Sequence, residues 1–351
     1  MKGLSLAVAA AGLAAAVPAG QTRGENLPSI QLENIVKMDV TSESNGLGAR
    51  EIFGPALGVD FPDPAIIWGD GSWKAYATSS NSKRIPIATS SDARSWTLTS
   101  TDALPNLPSW IDTSDAGLWA PDVNKNDDGT YVMYFSGKKT GGRRCIGVAT
   151  AKSSSGPFTA SETPLICDDG NGGVIDASGY DDGTDRWIVW KVDGNALGGA
   201  TTCQGGTPSG AYKPTPIKIQ RMNRDALTLV GSAKTILDNE GASNNGVVEA
   251  PTVHKINDGR FILFYSAHCY SSDDYDIEYA FSTTIDGTYG NRGILIRTVD
   301  NRGIYAPGGI DVDPNGKNVV FHGRTAPSGQ GDSKRQMYSA TLTLSSNSAS
   351  I

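Results

Sequence analysis

Short apolar runs alternate with turns rich in glycine and aspartate along almost the whole chain. One such unit, DFPDPAIIWGDGSWKAYATSS, begins at Asp60, and four more repeat its order of apolar entry, turn and aromatic strand. These four units begin at Trp119, Val174, Val248 and Tyr305. Each unit has the pattern of a β-hairpin, because about five residues of strand lead into a tight turn and a second strand.

Further strand-like segments follow the hairpins: IPIATS, CIGVAT, IKIQRM, IEYAFS and RQMYSATLTL. Each repeat is therefore a sheet of three or four strands, and the repeats recur at intervals close to the length of a propeller blade. The pattern predicts an all-β fold, a five-bladed β-propeller over residues 60–343. We expect residues 21–59 to be an N-terminal lead-in and residues 344–351 to be a flexible tail.

The composition agrees with many short strands, since the 351 residues include 42 Gly and 18 Pro and only 19% are charged. Residues 1–20, MKGLSLAVAAAGLAAAVPAG, have the lysine, apolar run and small residues of a secretory signal peptide. No later segment approaches the roughly 20 apolar residues that a membrane-spanning helix needs. We therefore expect a secreted, extracellular protein with no membrane partner.

The four cysteines are Cys145, Cys167, Cys203 and Cys269. An even number in an oxidising compartment predicts two disulfides, for which three connectivities are possible. Closeness in sequence favours the pairing of Cys145 with Cys167. No C-x-x-C or histidine-rich spacing indicates a zinc site.

The net charge is −7, and the lysines and arginines are scattered rather than clustered. This distribution argues against nucleic acid or an anionic membrane as a partner. A neutral substrate is the simpler interpretation, and we expect a monomer.

Four of the five units carry a carboxylate near the start of the first strand: Asp63, Asp122, Asp176 and Glu249. The first strand of each propeller blade lines the central axis, so equivalent positions would gather these acids around one mouth. Crowded carboxylates repel one another, and one should keep its proton near neutral pH while another stays ionised. General acid–base catalysis requires such a combination of one protonated and one ionised carboxyl group.

At these residues the sequence resembles glycoside hydrolase family 43, whose five-bladed propellers hydrolyse arabinose- and xylose-containing plant polysaccharides with inversion. The resemblance covers about residues 60–343 and rests on the order of DFPDPAI, LWAPDV, VIDAS, VVEAPTV and FYSAHCYSSDDYDIEYAFS. It implies that Asp63 is the general base and Glu249 the general acid. Asp176 would be the third acid, which orients the proton donor and tunes its pKa.

Asp60 is the rival of Asp63 as the base, but only Asp63 directly precedes Pro64 and the apolar strand, as the motif requires. We expect Asp122 to hold the inner strand or to bind a sugar hydroxyl. Trp119 would either form an apolar wall for a sugar ring or pack in the core.

The fifth unit departs from the family pattern. Family members often carry a histidine after "PG" in a segment like YAPGGIDV, beside a metal or water cluster on the axis, and here the position is Gly309. We therefore expect no metal, including axial calcium, and no cofactor. His322 is the nearest histidine that could point inward and Arg324 could clamp the substrate, although each could equally be structural.

The resemblance also bears on the substrate. Family members that act as β-xylosidases often carry a C-terminal β-sandwich, whereas the present sequence ends just after the fifth unit, which favours arabinan or arabinofuranosyl side chains. We therefore expect a secreted, inverting glycosidase of the arabinanase or α-L-arabinofuranosidase type. A β-xylosidase or xylan-acting enzyme of the same family is one alternative, and a catalytically silent, sugar-binding propeller is the other.

Overall fold

The computed structural model describes residues 51–201, 203 and 209–351, so the predicted signal peptide and most of the predicted lead-in lie outside the described residues. Regular structure in this part of the chain is almost entirely β. The strands are β1 (Ile52–Phe53), β2 (Ala65–Gly69), β3 (Ser72–Tyr76), β4 (Pro86–Ser90), β5 (Thr97–Asp102), β6 (Trp119–Lys125), β7 (Tyr131–Lys138), β8 (Arg144–Ala151), β9 (Thr159–Ala160), β10 (Val174–Asp181), β11 (Arg186–Val192), β12 (Ile217–Met222), β13 (Leu229–Leu237), β14 (Val248–Lys255), β15 (Phe261–Ala267), β16 (Asp276–Ser282), β17 (Gly290–Ile296), β18 (Tyr305–Val312), β19 (Asn318–Arg324), β20 (Gln336–Thr341), β21 (Thr343–Leu344) and β22 (Ala349–Ser350). Short 3-10 helices lie at Thr113–Asp115, Asp169–Asn171, Gly194–Leu197, Gly241–Asn244 and Thr298–Asp300.

Five four-stranded sheets form a ring, which confirms the predicted five-bladed β-propeller. Neighbouring strands within each sheet are antiparallel, and the first strand of each unit is the innermost. From the axis outward, the strand orders are β2-β3-β4-β5, β6-β7-β8-β9, β10-β11-β12-β13, β14-β15-β16-β17 and β18-β19-β20-β1.

The fifth sheet closes the ring with strands from both ends of the described chain. Strand β1 pairs with β20, with Ile52 opposite Ala340 and Phe53 opposite Ser339. The propeller therefore begins before Asp60, and the last part of the predicted lead-in belongs to the fifth blade. Pairing the two ends of the chain in one sheet leaves no gap in the ring.

The end of the chain differs from the expected flexible tail. Strands β21 and β22 form a small hairpin, in which Thr343 pairs with Ser350 and Leu344 with Ala349. Ala349 and Ile351 are buried in the apolar cluster between the fourth and fifth sheets. This packing holds residues 344–351 against the propeller.

The apolar core is divided into five main clusters, each between two neighbouring sheets. Successive side chains of a strand point to opposite faces, so adjacent aromatic residues pack against different neighbouring sheets. Tyr134 packs toward the third sheet and Phe135 toward the first. Phe264 packs toward the fifth sheet and Tyr265 toward the third. The aromatic second strands predicted from the sequence are thus the main packing layer between blades.

The structure contains two disulfides, and the favoured pairing of Cys145 with Cys167 is confirmed. The second disulfide joins Cys203 to Cys269. It ties the long connection after β11 to the loop that follows β15. No helix among the described residues has the length and apolar character to cross a membrane.

Register shifts in four of the five inner strands, β6, β10, β14 and β18, position the residues nearest the axis. In the fourth sheet, Glu249 pairs with Ser266 but Thr252 pairs with Phe264, so β14 has one extra residue. The bulge residues have positive φ angles, a conformation that is uncommon and strained for residues other than glycine. They are Ala120 (41°), Asp176 (58°), Ala250 (49°), Ala306 (48°) and Gly309 (58°), the last two in the two register shifts of β18. Asp63, which lies two residues before β2, also has a positive φ, 52°.

Candidate active site

Three of the four predicted carboxylates meet at one mouth of the propeller, but the four positions are not equivalent. Asp63 and Asp176 themselves have positive φ angles, whereas Glu249 lies one residue before the positive-φ residue Ala250 and Asp122 two residues after Ala120. Asp63, Asp176 and Glu249 line the pocket at the mouth, and Asp122 faces the axis beneath it. The predicted equivalence is therefore wrong, because the bulge changes the direction of each successive side chain.

The pocket at this mouth has a volume of about 280 Å³. This volume is near the lower end of the range for small-molecule sites. Its wall combines the three acids with two cations and three aromatic rings, which are Lys191, Arg335, Trp119, Tyr270 and Tyr275. A pocket with convergent charged groups and aromatic walls is suited to a polar ring such as a sugar.

Asp63 is held as an ionised carboxylate. Thr78 Oγ1 donates to its Oδ2 at 2.7 Å, and Arg335 Nη1 lies 3.2 Å from its Oδ1. Burial alone would raise the pKa of Asp63, but Arg335 and the Thr78 hydroxyl outweigh it and lower the pKa. Burial lowers the pKa of His322 to about 3, so this ring is neutral, and its Nδ1 accepts the Asp63 backbone N–H at 3.0 Å.

Both carboxylate oxygens of Glu249 have donors. Lys191 Nζ donates to Oε2 at 2.9 Å, and the Tyr275 hydroxyl donates to Oε1 at 2.8 Å. Lys191 is fully buried and lies 3.0 Å from Asp193 Oδ1 as well. Burial opposes the charge of Lys191, but Asp193 and Glu249 outweigh burial and raise the pKa of the amine. These contacts fix the orientation of Glu249 in the pocket.

Asp176 lies in the inner strand of the third blade, next to the fourth blade, which carries Glu249. Its backbone N–H donates to Ser136 Oγ at 3.0 Å, and its Oδ2 accepts the Ala250 N–H at 3.0 Å. Burial and the negative charge of Glu249 raise the pKa of Asp176 to about 8. At neutral pH Asp176 therefore holds a proton beside Glu249, while Asp63 is ionised. The mouth thus contains the proton donor and proton acceptor that acid–base catalysis needs.

Comparison with known proteins identifies the family of this chain. A model of glycosyl hydrolases family 43 matches residues 54–345. The chain belongs to this family. The family expected from the sequence motifs is therefore confirmed, and the protein is a glycosidase.

Relatives of this family 43 chain include arabinan-degrading enzymes. A probable arabinan endo-1,5-alpha-L-arabinosidase C from Aspergillus flavus is 26% identical over 245 residues, which are 63% of this chain and 69% of that protein. A thermostable family-43 glycoside hydrolase of known structure is 25% identical, with a TM-score of 0.70, and the match covers 85% of this chain and 95% of that chain. An arabinanase from Bacillus subtilis shares the fold, with a TM-score of 0.65, 24% identity and coverage of 86% and 100%.

Asp122 and a carboxylate that the sequence reasoning missed, Asp311, lie on the axis of the family 43 propeller. Asp122 Oδ2 accepts the Gly179 N–H at 2.7 Å, and Asp311 Oδ2 accepts the Ile66 N–H at 2.7 Å. Burial raises the pKa of Asp122 to about 6, and burial with the charge of Asp122 raises the pKa of Asp311 further. Each carboxyl group joins its own inner strand to the next one. Asp122 therefore has the strand-holding contacts that were one of its two predicted roles.

The other predicted substrate-binding residues have different locations. Trp119 lines the pocket, and the Arg144 guanidinium lies 3.2 Å from the centre of its ring. His322 is fully buried against Tyr275, with stacked rings 5.9 Å apart. Arg324 is buried and paired with Asp273. The structure therefore brings Trp119 to the acids, and it does not place His322 or Arg324 on the pocket wall.

Three pocket residues that contact the acids were missed by the sequence reasoning: Lys191, Tyr275 and Arg335. Lys191 had a signal in the sequence, because a lysine inside the apolar strand WIVWKV must find an anionic partner if the strand is buried. Tyr275 lies in a segment that was recognised only as a family motif. Arg335 begins the third strand of the last blade, and nothing local in the sequence points it toward Asp63.

The segment around Gly309 is where the sequence departs from the family pattern, and the expectation of no metal there stays a prediction. Within residues 51–201, 203 and 209–351, no three His, Cys, Asp or Glu side chains come together as a possible metal centre. A side chain at Gly309 would meet the His322 ring, since a Cβ there would lie 2.9 Å from Nδ1. We derive no catalytic step through a metal.

Proposed function

We propose that the protein is a secreted, inverting glycoside hydrolase that cleaves arabinan or arabinofuranosyl side chains of plant polysaccharides. The observation that carries the proposal is the meeting of Asp63, Asp176 and Glu249 at one mouth, where Thr78 and Arg335 hold the Asp63 carboxylate. Burial and the charge of Glu249 raise the pKa of Asp176, so this acid keeps a proton in the same pocket. The names of the Aspergillus and Bacillus relatives support arabinan as the substrate. The two disulfides support export to an oxidising compartment.

Asp63 acts as the general base in this proposal. A water molecule between Asp63 and the sugar transfers a proton to the carboxylate as its oxygen attacks the anomeric carbon. Thr78 and Arg335 hold the carboxylate oxygens, and the neutral His322 ring holds the backbone. The base therefore needs little reorientation before it reacts.

Glu249 acts as the general acid from the opposite side of the sugar. It gives its proton to the glycosidic oxygen as the bond from that oxygen to the anomeric carbon breaks. The Tyr275 and Lys191 contacts keep the carboxyl group in place, and solvent then restores the starting protonation of Asp63 and Glu249.

Asp176 keeps the proton available to Glu249. Asp176 binds a proton up to about pH 8, and in the proposed mechanism Glu249 takes up this shared proton before it protonates the leaving oxygen. Its hydrogen bond from the Ala250 N–H holds it beside the residue that follows Glu249. Asp176 is thus a positioning residue in the proposed mechanism.

The proposed function predicts rapid hydrolysis of linear α-1,5-arabinan and inversion at the anomeric centre. Attack by water on the face opposite the leaving oxygen gives a β-anomer as the first product. Proton NMR during the first minutes of digestion measures both the rate and the anomer before mutarotation.

Xylo-oligosaccharides and aryl arabinofuranosides, assayed beside linear arabinan, complete the test. If the enzyme hydrolysed xylo-oligosaccharides faster than arabinan, the proposed substrate would be xylan instead of arabinan. A first product with the retained anomer would contradict Asp63 as a base that acts through water.

Replacing Asp176 with asparagine should lower kcat by about tenfold or more and move the alkaline limb of the pH–rate profile to lower pH. The substitution removes the carboxyl group that holds the shared proton beside Glu249 while keeping the side-chain shape, so the acid loses its proton more readily. Steady-state rates on arabinan at about seven pH values between pH 4 and 10 would define the alkaline limb.

Asp122→Asn is the matched control for this variant, because Asp122 is also a buried inner-strand carboxyl group but does not line the pocket. Its alkaline limb should stay at the wild-type position. If Asp176→Asn keeps both the wild-type limb and most of the rate, Asp176 has only a structural role.

A further inference from the structure

A second cavity opens at the other end of the propeller axis. The inner strands start at the pocket mouth, and the cavity is lined by residues near their far ends, including Trp68 in β2, Lys125 in β6 and His254 in β14. Its volume is about 360 Å³, compared with about 280 Å³ for the pocket that contains the acids. Asp122 and Asp311 lie at its inner end. The proposed mechanism uses no residue on its outer wall.

The wall of this rear cavity carries a large exposed aromatic ring. Trp68 is 48% exposed, although it belongs to an inner strand whose other residues are buried. Trp73 contacts it nearly edge to face, with ring centres 5.3 Å apart and an interplanar angle of 76°. On a neighbouring part of the wall, Tyr180 and His254 form a second edge contact at 6.0 Å. A ring fixed by its neighbour and open to solvent is a suitable surface for the apolar face of a sugar.

The polar groups of the rear cavity include a buried donor that lacks an acceptor. Arg186 lines the cavity, is 4% exposed, and pairs through Nη2 with Asp181 and Asp127. Its Nε has no hydrogen-bond partner among the described residues. A buried donor without a partner costs free energy, and it keeps the positive charge of Arg186 at the cavity wall only partly compensated. Asn124 and Asn315 add amide groups that can both donate and accept hydrogen bonds.

The charges around the rear cavity indicate a neutral ligand. Burial lowers the pKa of His254, which leaves Lys125 and Arg186 as the positive side chains. They are outnumbered by the acidic residues of the wall, which are Asp122, Asp181, Asp311 and Asp313. A phosphate or a uronic acid would meet more negative than positive groups. A hydroxyl-rich, uncharged sugar matches both the aromatic ring and the mixed donors and acceptors.

We infer that the rear cavity is a second, non-catalytic binding site for a neutral sugar segment of the polysaccharide that the enzyme cleaves. The inference rests on the proposed function for the identity of that polysaccharide. A polymer long enough to reach both ends of the axis, or a dense polymer network, would engage both sites at once. Such bivalent binding raises the affinity for polymer without changing the affinity for a short substrate.

The test measures polymer binding without turnover, in protein that carries Glu249→Gln to prevent degradation of the matrix. Affinity gel electrophoresis in debranched arabinan, with a parallel gel in linear xylan, gives an apparent Kd. Adding Trp68→Ala should weaken binding to arabinan by about tenfold, which corresponds to about 1.4 kcal/mol. Trp68→Phe should restore much of the binding, because it keeps an aromatic face.

Two further variants control the experiment. Asn315→Ala removes a cavity amide from an exposed turn, so it tests the site even if Trp68→Ala fails to fold, and it should also weaken binding. Ile294→Ala removes a side chain of similar exposure, 45%, from an outer strand of the fourth blade and should not change binding. Thermal unfolding of each variant checks the fold.

The active enzyme separates this inference from the proposed function. With Glu249 present, Trp68→Ala should raise KM for arabinan by about tenfold and leave kcat/KM for an aryl arabinofuranoside unchanged. If polysaccharide in the gel slowed Trp68→Ala, Asn315→Ala and their parent protein equally, the second site would be overturned. The same would follow if neither arabinan nor xylan slowed the parent protein. Failure of the wild-type enzyme to hydrolyse any arabinoside would instead overturn the proposed function, whatever the gels show.

Discussion

Replacing Glu249 with glutamine should reduce kcat on linear arabinan by roughly 10²–10⁴-fold, the usual contribution of a general acid. The glycosidic oxygen of arabinan is a poor leaving group and needs a proton as its bond breaks. An aryl arabinofuranoside with a nitrophenol leaving group departs without a proton, so its rate should fall much less. Parallel steady-state assays on the two substrates measure this difference directly.

Glu278→Gln is a matched control for the acid. Glu278 also accepts a hydrogen bond from a tyrosine, with Tyr265 Oη 2.6 Å from its Oε2, but it does not line the pocket. This variant should keep the wild-type ratio of rates on the two substrates. Equal losses on arabinan and the aryl glycoside for Glu249→Gln would contradict its assignment as the acid. Unchanged turnover of both substrates would instead favour the alternative that the protein is a catalytically silent, sugar-binding propeller.

Asp63→Asn should lower kcat by a similar factor, roughly 10²–10⁴-fold, but by the same factor on both substrates. The attacking water must lose a proton whichever group leaves, so a better leaving group does not compensate for a missing base. Asparagine keeps the side-chain size and can still contact Thr78 and Arg335. The same pair of assays used for Glu249 therefore distinguishes a base from an acid.

Asp60→Asn is the control for this experiment, because Asp60 is the rival aspartate in the same motif. Its Oδ1 accepts the Arg335 backbone N–H at 2.8 Å, and it does not line the pocket. We expect Asp60→Asn to retain most of the activity. A large loss for Asp60→Asn together with a small loss for Asp63→Asn would exchange the roles of the two aspartates.

The behaviour of these acids depends on neighbours from distant parts of the chain. Arg335 reaches Asp63 from the fifth blade, and Lys191 reaches Glu249 from the third. Arg335 helps to keep Asp63 ionised, and the charge of Glu249 is a major reason why Asp176 retains a proton. The motif residues alone therefore do not define which acid donates and which accepts.

Local features of the sequence determined the five blades, because strand alternation and Gly/Asp turns act over fewer than about ten residues. The same local patterns identified the segments that carry Asp63, Asp176 and Glu249, and the pairing of Cys145 with Cys167 followed from their closeness in the chain.

Tertiary structure alone decided how these pieces meet. One extra residue in β14 and one in β6 place Glu249 at the mouth and Asp122 on the axis, since a shift of one residue in a strand turns a side chain to the other face. The strand Ile52–Phe53 completes the fifth blade only because the ring brings the two ends of the described chain together. Lys191, Arg335 and Asp311 likewise acquire their partners across blades. Contacts of this kind join residues that are far apart in sequence and form only when the whole ring closes. The local sequence pattern therefore does not predict them.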